Sequence, residues 1–171
     1  MSSHLNFPDM QQRLVVTGSA VVFLLAIASL ANALLGHQPM PELFQQAAVV
    51  THLATVLAAL PLGVSQVLLR KGGARHRIIG YIWLALMVTT AIVSFAIHSI
   101  NPKGLSPIHI FSVMTLISAP LILYYARTHQ VERHRNTALG VIVGGLVVAG
   151  AFTFMPERAL GQLLFGLLGL R

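Results

Sequence analysis

Four histidines occupy matching positions in two copies of a repeated pattern. His52 begins an apolar stretch that ends at Arg75-His76-Arg77, and His109 begins a second stretch that ends at Arg133-His134-Arg135. Nearly the same number of residues separates His52 from His109 as separates His76 from His134. A fixed offset of this kind indicates an internal two-helix repeat, which would bring equivalent histidines together in pairs.

Paired histidines in an apolar chain are typical ligands of a metal-containing cofactor. Neutral imidazole binds iron, copper and zinc, but a zinc ion usually takes several ligands from the protein. Haem supplies four nitrogens itself and leaves its axial positions to side chains. We therefore predict one or two b-type haems, bound by His52 with His109 and by His76 with His134. The first pair is the stronger candidate, because a lone histidine inside an apolar stretch is costly.

Basic and small residues near these histidines would suit the same cofactor. Four arginines are predicted to bind haem propionates, since guanidinium pairs with carboxylate through two parallel hydrogen bonds: Arg75, Arg77, Arg133 and Arg135. The last long apolar stretch also carries glycines that would let a flat ring approach the backbone: Gly140, Gly144, Gly145 and Gly150.

Composition indicates a membrane protein. Of the 171 residues, 56% are hydrophobic and only 9% are charged, which leaves too little polar surface for a water-soluble domain. The net charge of +7 comes from basic residues between the apolar stretches, so it predicts membrane topology and no nucleic-acid partner. With no cysteine and four acidic residues outside those stretches, acid–base and thiolate catalysis are not expected. A transmembrane oxidoreductase is the class of enzyme that the histidines suggest.

The lengths of the apolar stretches predict an all-α fold with five transmembrane helices. The predicted spans are residues 14–35, 47–69, 78–97, 108–126 and 137–155, within one membrane domain of residues 1–171. We expect spans two to five to form a four-helix core built from the two-helix repeat, with span one outside it. Residues 156–171 are too short to cross a bilayer and predict an interfacial or shallowly re-entrant helix.

The distribution of basic residues predicts the orientation. Eight of the 11 basic residues fall at one end of the predicted bundle: Arg13, Arg70, Lys71, Arg75, Arg77, Arg127, Arg133 and Arg135. Because short cytoplasmic loops are enriched in Lys and Arg, we expect this end and the N-terminus in the cytoplasm.

The histidines and their neighbours also resemble a known family. His52, His76-Arg77 followed by Gly80, the sequence 106–109 (Ser-Pro-Ile-His) and His134-Arg135 resemble the predicted bacterial membrane proteins of domain-of-unknown-function family 2306, over residues 43–166. That resemblance implies the bacterial inner membrane and no established activity. More loosely, histidines on four successive spans are similar to two-haem transmembrane cytochromes of the b-561 type. The second resemblance implies haem b, electron transfer within or across the membrane, and a membrane redox partner.

Two other functions remain open from the sequence. The chain is consistent with a cofactor-free accessory subunit that packs in a larger complex or with a second copy of itself. It is also consistent with a copper or zinc site built from His52, His98 and His109. For His76 and His134, an interfacial role at the bilayer surface is as consistent with the sequence as ligation.

Overall fold

The protein is a bundle of long helices. The computed structural model describes residues 9–97 and 106–170, and among these residues there is no β-strand. The helices are α1 (Asp9–Leu34), α2 (Ala47–Leu68), α3 (Ala74–Ser94), α4 (His109–Arg127), α5 (Val131–Val141), α6 (Ala149–Phe152) and α7 (Ala159–Leu167). A 3₁₀ turn at Glu42–Gln45 precedes α2, and a π-helical segment at Ile142–Val148 joins α5 to α6.

Five helices of the described chain are long and apolar enough to cross a membrane. They are α1 to α4 and the continuous run from α5 through α6, Val131–Phe152. Five helices of this length and composition suit a chain that lies in a lipid bilayer. The prediction of an all-α fold with five spans is confirmed.

Four of the spans form a ring, and α1 lies outside it. Helix α2 packs against α3, α3 against α4, and α4 against α5, while the π-helical segment contacts α2 and closes the ring. The centre of the ring is filled by Leu60, Met87 and Leu146, which are almost fully buried. Helix α1 packs against α2, the π-helical segment and α7. In this ring α2 is diagonally opposite α4, and α3 is diagonally opposite α5.

Three helices begin earlier in the chain than the apolar stretches predict. Helix α1 starts at Asp9 instead of residue 14, α3 starts at Ala74 instead of 78, and the fifth span starts at Val131 instead of 137. The two Arg-His-Arg sequences are therefore helical and do not lie in links. Long basic side chains can extend from a helix end to water, so the end of an apolar stretch is not the end of its helix.

The ends of two spans also differ from the prediction. Helix α3 ends at Ser94 instead of residue 97, and the fifth span ends at Phe152 instead of 155. We call the end of the bundle that carries Arg70, Lys71 and the two Arg-His-Arg sequences the basic end, and the opposite end the far end. At the basic end, Lys71 Nζ donates hydrogen bonds to the carbonyl oxygens of Gln66, Val67 and Leu69, 3.1, 2.5 and 2.8 Å away. Lys71 thereby caps the C-terminus of α2.

Helix α7 folds back onto the far end of the bundle. Its buried residues Leu160 and Leu163 pack with Ala26 and Ala33 of α1. The buried side chain of Gln38 donates a hydrogen bond to the Leu163 carbonyl oxygen, 2.8 Å away. The predicted short helix after the fifth span is therefore present and is docked on α1, while its depth in a bilayer stays a prediction.

Candidate functional site

His109 has hydrogen-bond partners for both of its ring nitrogens. It is the first residue of α4 and is 6% exposed. Its Nε2 lies 3.0 Å from the Ser94 carbonyl oxygen, so Nε2 carries the hydrogen and donates it. Its Nδ1 then accepts a hydrogen bond from the Ser106 backbone N–H, 3.0 Å away, and also lies 2.9 Å from the Ser106 carbonyl oxygen. The ring also stacks on Phe95, with centroids 5.5 Å apart, so His109 ties the end of α3 to the start of α4.

His52 has one engaged nitrogen and one without a protein partner. Its Nδ1 lies 3.2 Å from the Thr90 carbonyl oxygen, so Nδ1 carries the hydrogen in the neutral ring. Among residues 9–97 and 106–170, its Nε2 has no hydrogen-bond partner. His52 and His109 line one cavity of about 200 Å³ in the far half of the bundle.

In this arrangement the pair of His52 and His109 does not fit a haem. An axial ligand needs a nitrogen lone pair, and His109 offers none, because one nitrogen donates to Ser94 and the other accepts from Ser106. The cavity of about 200 Å³ is also smaller than the roughly 300 to 1,000 Å³ that is usual for sites of drug-sized ligands. Of this pair, His52 alone offers a lone pair.

The predicted copper or zinc site includes a residue that cannot be placed. His98 lies outside the described residues, so its position relative to His52 and His109 stays untested. Within the part of the chain that the structure describes, no three residues of the types His, Cys, Asp or Glu form a group that could hold a metal ion.

His76 and His134 come together at the basic end from the diagonally opposite helices α3 and α5. Their ring centroids are 6.4 Å apart, and the ring planes meet at 76°. The Nδ1 of His134 lies 3.0 Å from the Ile122 carbonyl oxygen, so the hydrogen is on Nδ1 and the lone pair is on Nε2. This is the tautomer that a histidine needs when it binds a metal through Nε2.

Gln66 of α2 controls the tautomer of His76. In the amide orientation that satisfies all neighbours, Oε1 accepts from the Gly80 N–H at 3.1 Å and Nε2 donates to His76 Nδ1 at 2.9 Å. His76 then carries its hydrogen on Nε2. When the amide is reversed, Oε1 can accept from His76 Nδ1–H, and the lone pair moves to the Nε2 of His76.

The separation of these two rings lies in the range of ordinary edge-to-face ring contacts, about 4.5 to 7 Å, and it also matches the separation of two imidazoles on one metal. A metal–imidazole bond of about 2 Å places the centroids of two opposed imidazoles about 6.5 Å apart. The observed separation is 6.4 Å. Neither Nε2 has a hydrogen-bond partner in the described parts of the chain. In the amide orientation that satisfies all neighbours, His134 is the member of this pair that offers a lone pair. Ligation by His76 as well needs the reversed amide, which turns Gln66 Oε1 toward the His76 carbonyl oxygen at 3.3 Å and its Nε2 toward the Gly80 N–H at 3.1 Å.

The four arginines predicted to bind propionates lie at the same end as this pair. Arg75, Arg77 and Arg133 are exposed, and Arg135 is half-buried. Arg133 donates from Nη1 to Gln130 Oε1, 2.7 Å away, and lies over the ring of Tyr125. Their role as propionate ligands stays a prediction.

Side chains of neighbouring helices fill the space beside most of the glycines of the fifth span. A Cβ on Gly144 would lie 2.7 Å from Met114 Cε, and one on Gly145 would lie 3.1 Å from Met87 Cε. A Cβ on Gly150 would lie 2.8 Å from Val22 Cγ1 of α1. Nothing lies within 4 Å of such an atom on Gly140. Neighbouring side chains thus occupy three of the positions that were predicted to face a flat ring.

Gln66, Thr90 and Ser94 belong to none of the sequence patterns that predict a site. The position of Gln66 could have indicated a role, because an amide inside an otherwise apolar span needs a polar partner. Thr90 and Ser94 contact histidines through backbone carbonyl oxygens, which no side-chain pattern indicates.

Comparisons of the chain with protein-family models, with curated proteins and with solved structures found no match. The resemblances to family 2306 and to the b-561 cytochromes therefore stay predictions.

Proposed function

We propose that the protein binds b-type haem in a membrane and transfers electrons within or across that membrane, with His76 and His134 as the axial ligands. One observation carries the proposal: the two imidazoles approach each other from diagonal helices at the separation that a single metal requires. The tautomer of His134 supports it further, since the Ile122 carbonyl oxygen leaves the Nε2 lone pair available.

The chain's own residues have distinct tasks in this proposal. Bound haem supplies an iron that takes up and releases one electron. His134 is held by the Ile122 carbonyl oxygen, and this hydrogen bond makes its Nε2 more basic. Gln66 holds the ring of His76 and, in the reversed orientation of its amide, fixes the ligand tautomer. Arg75, Arg77, Arg133 and Arg135 provide positive charge at the basic end for the two propionates.

The rest of the proposal concerns the protein's surroundings. We propose the bacterial inner membrane, with the basic end and the N-terminus in the cytoplasm, because that end carries most of the Lys and Arg residues. A second membrane protein would deliver or accept the electron. Another copy of this chain could pack against the lipid-facing helices of the first. In this role the protein would be a transmembrane oxidoreductase or a subunit of one.

The haem content of purified protein tests the proposal. Protein expressed with ample haem precursor should show a Soret band and reducible visible bands. His134→Ala and His76→Ala should each lose haem or change its spectrum. His52→Ala and His129→Ala are the controls and should keep the wild-type spectrum, since His129 is an exposed residue in the turn between α4 and α5.

Three results would contradict the proposal. Colourless wild-type protein would favour a cofactor-free accessory subunit. A wild-type spectrum in His134→Ala would exclude His134 as a ligand. Loss of haem in His52→Ala alone would place the haem site in the far half of the bundle.

A further inference from the structure

The cavity in the far half of the bundle lies apart from the pair of His76 and His134. Its volume is about 200 Å³, and its wall takes residues from every transmembrane span. Most of the wall is apolar, including Phe44, Leu57, Met87 and Phe111. Concave apolar spaces with a few polar atoms are the usual form of small-molecule sites.

Helix α3 contributes hydroxyl groups whose hydrogens are already committed. Thr90 Oγ1 donates to Thr55 Oγ1, 2.7 Å away. Ser94 Oγ donates to the Ala91 carbonyl oxygen, also 2.7 Å away. These two lining residues can accept further hydrogen bonds but have no hydrogen left to donate.

The hydroxyl groups on the opposite wall of the cavity also donate their hydrogens within the protein. Because Ser94 donates elsewhere, Ser112 Oγ must donate to Ser94 Oγ, 2.7 Å away. Thr115 Oγ1 donates to the Phe111 carbonyl oxygen at 2.8 Å, and Thr153 Oγ1 donates to the Gly150 carbonyl oxygen at 2.6 Å. The hydroxyls on both walls therefore leave only acceptors for a ligand.

His52 is the strongest of these acceptors. Its hydrogen is on Nδ1 and is donated to the Thr90 carbonyl oxygen, 3.2 Å away. The Nε2 lone pair has no partner among the residues that the structure describes. The second histidine of the cavity, His109, offers nothing, since both of its nitrogens are engaged.

We propose that this cavity binds a small hydroxylated ring of the phenol class, whose O–H donates a hydrogen bond to His52 Nε2. The hydroxyl groups of the walls leave no donor for a ligand that relies on accepting hydrogen bonds, such as a ketone, so Arg158 is the side chain that could donate to one. The volume suits one ring, since an apolar cavity of about 150 Å³ holds benzene. The phenolic O–H is neutral at physiological pH and is a good donor. The site does not depend on a haem at the basic end.

The charged lining residues of the cavity lie at its far end. Glu157 and Arg158 line it from the link between α6 and α7, and Leu160 of α7 lies beside them. Arg158 is the lining side chain that retains N–H donors, and it lies in the same link as Thr153.

Phenol and anisole provide a matched pair of probes, because they differ by the methyl group that replaces the hydroxyl hydrogen. Binding is measured by calorimetry on the full chain in lipid nanodiscs, with empty nanodiscs subtracted. Wild-type protein should bind phenol at least about tenfold more tightly than anisole, because anisole leaves His52 Nε2 unsatisfied. His52→Phe should remove this preference, whereas His52→Gln, which keeps an acceptor oxygen, should retain part of it. Ala149→Phe, which places a ring into the cavity wall, should weaken binding of both probes.

A second measurement needs no variant. In ¹⁵N-labelled wild-type protein, phenol should shift the Nε2 resonance of His52, and anisole should not. Equal affinity for phenol and anisole, no binding of either, an unchanged preference in His52→Phe, or an unmoved His52 resonance would each overturn the proposal.

Discussion

His76 and His134 lie with their ring centroids 6.4 Å apart, although they belong to helices that face each other diagonally across the bundle. Each is in the first two turns of its helix, and each has its Nδ1 engaged by the chain itself. The two imidazoles meet edge to face at the basic end.

Gln66 should tune the cofactor without touching it. Gln66→Leu removes the partner of His76 Nδ1, so haem affinity should fall by roughly 10 to 100-fold. Gln66→Glu keeps a strong acceptor for Nδ1–H and should lower the reduction potential, because a carboxylate makes the imidazole more electron-donating. Haem titration and redox potentiometry measure the two effects. Gln162→Leu, at an exposed position of α7, is the matched control. Wild-type affinity in Gln66→Leu would contradict the assigned role.

His109 should be structural. His109→Ala leaves the Ser94 carbonyl oxygen and the Ser106 N–H without their partner, which should cost about 2 to 4 kcal/mol of stability. The haem spectrum of the folded variant should be unchanged, because His109 has no free lone pair. Denaturant unfolding in detergent gives the first quantity and absorbance the second. A spectrum that changes while stability stays at the wild-type value would contradict this role.

Two glycines of the fifth span should respond in opposite ways to the same substitution. Gly140→Ala adds a methyl group into open space and should stabilise the helix by up to about 1 kcal/mol. Gly150→Ala places that methyl group 2.8 Å from Val22 Cγ1, and overpacking of this kind costs about 1 to 3 kcal/mol. The melting temperatures of the two variants should therefore separate. Equal stabilisation by both would show that α1 does not pack on Gly150.

The basic end should lie in the cytoplasm. A reporter fused after Lys71 should be active only as a cytoplasmic reporter, and one fused after Lys103 should be active only on the other side. Replacing Arg75, Arg77, Arg133 and Arg135 together with Gln should weaken or invert this preference, whereas replacing Arg158 alone should not. A periplasmic signal after Lys71 in the wild-type chain would reverse the orientation.

The sequence predicts the spans well because the length of an apolar stretch is a direct measure of bilayer crossing. It misplaces the starts of α3 and α5, because Arg75 and Arg133 are polar residues that still continue a helix. The repeat correctly predicts that His52 shares a space with His109 and that His76 approaches His134. It cannot rank the two pairs, since the ranking depends on which ring nitrogens meet backbone groups such as the Ser94 and Ile122 carbonyl oxygens.

The most direct test of the central claim is low-temperature electron paramagnetic resonance of the oxidised wild-type protein beside His134→Ala. The planes of the two imidazoles meet at 76°. If His76 and His134 held a haem at this angle, two iron orbitals would lie close in energy. Wild-type protein should give a highly anisotropic low-spin ferric signal, and His134→Ala should lose this signal or convert it to high spin. A wild-type protein with no ferric haem signal, or the same low-spin signal in both proteins, would contradict that claim.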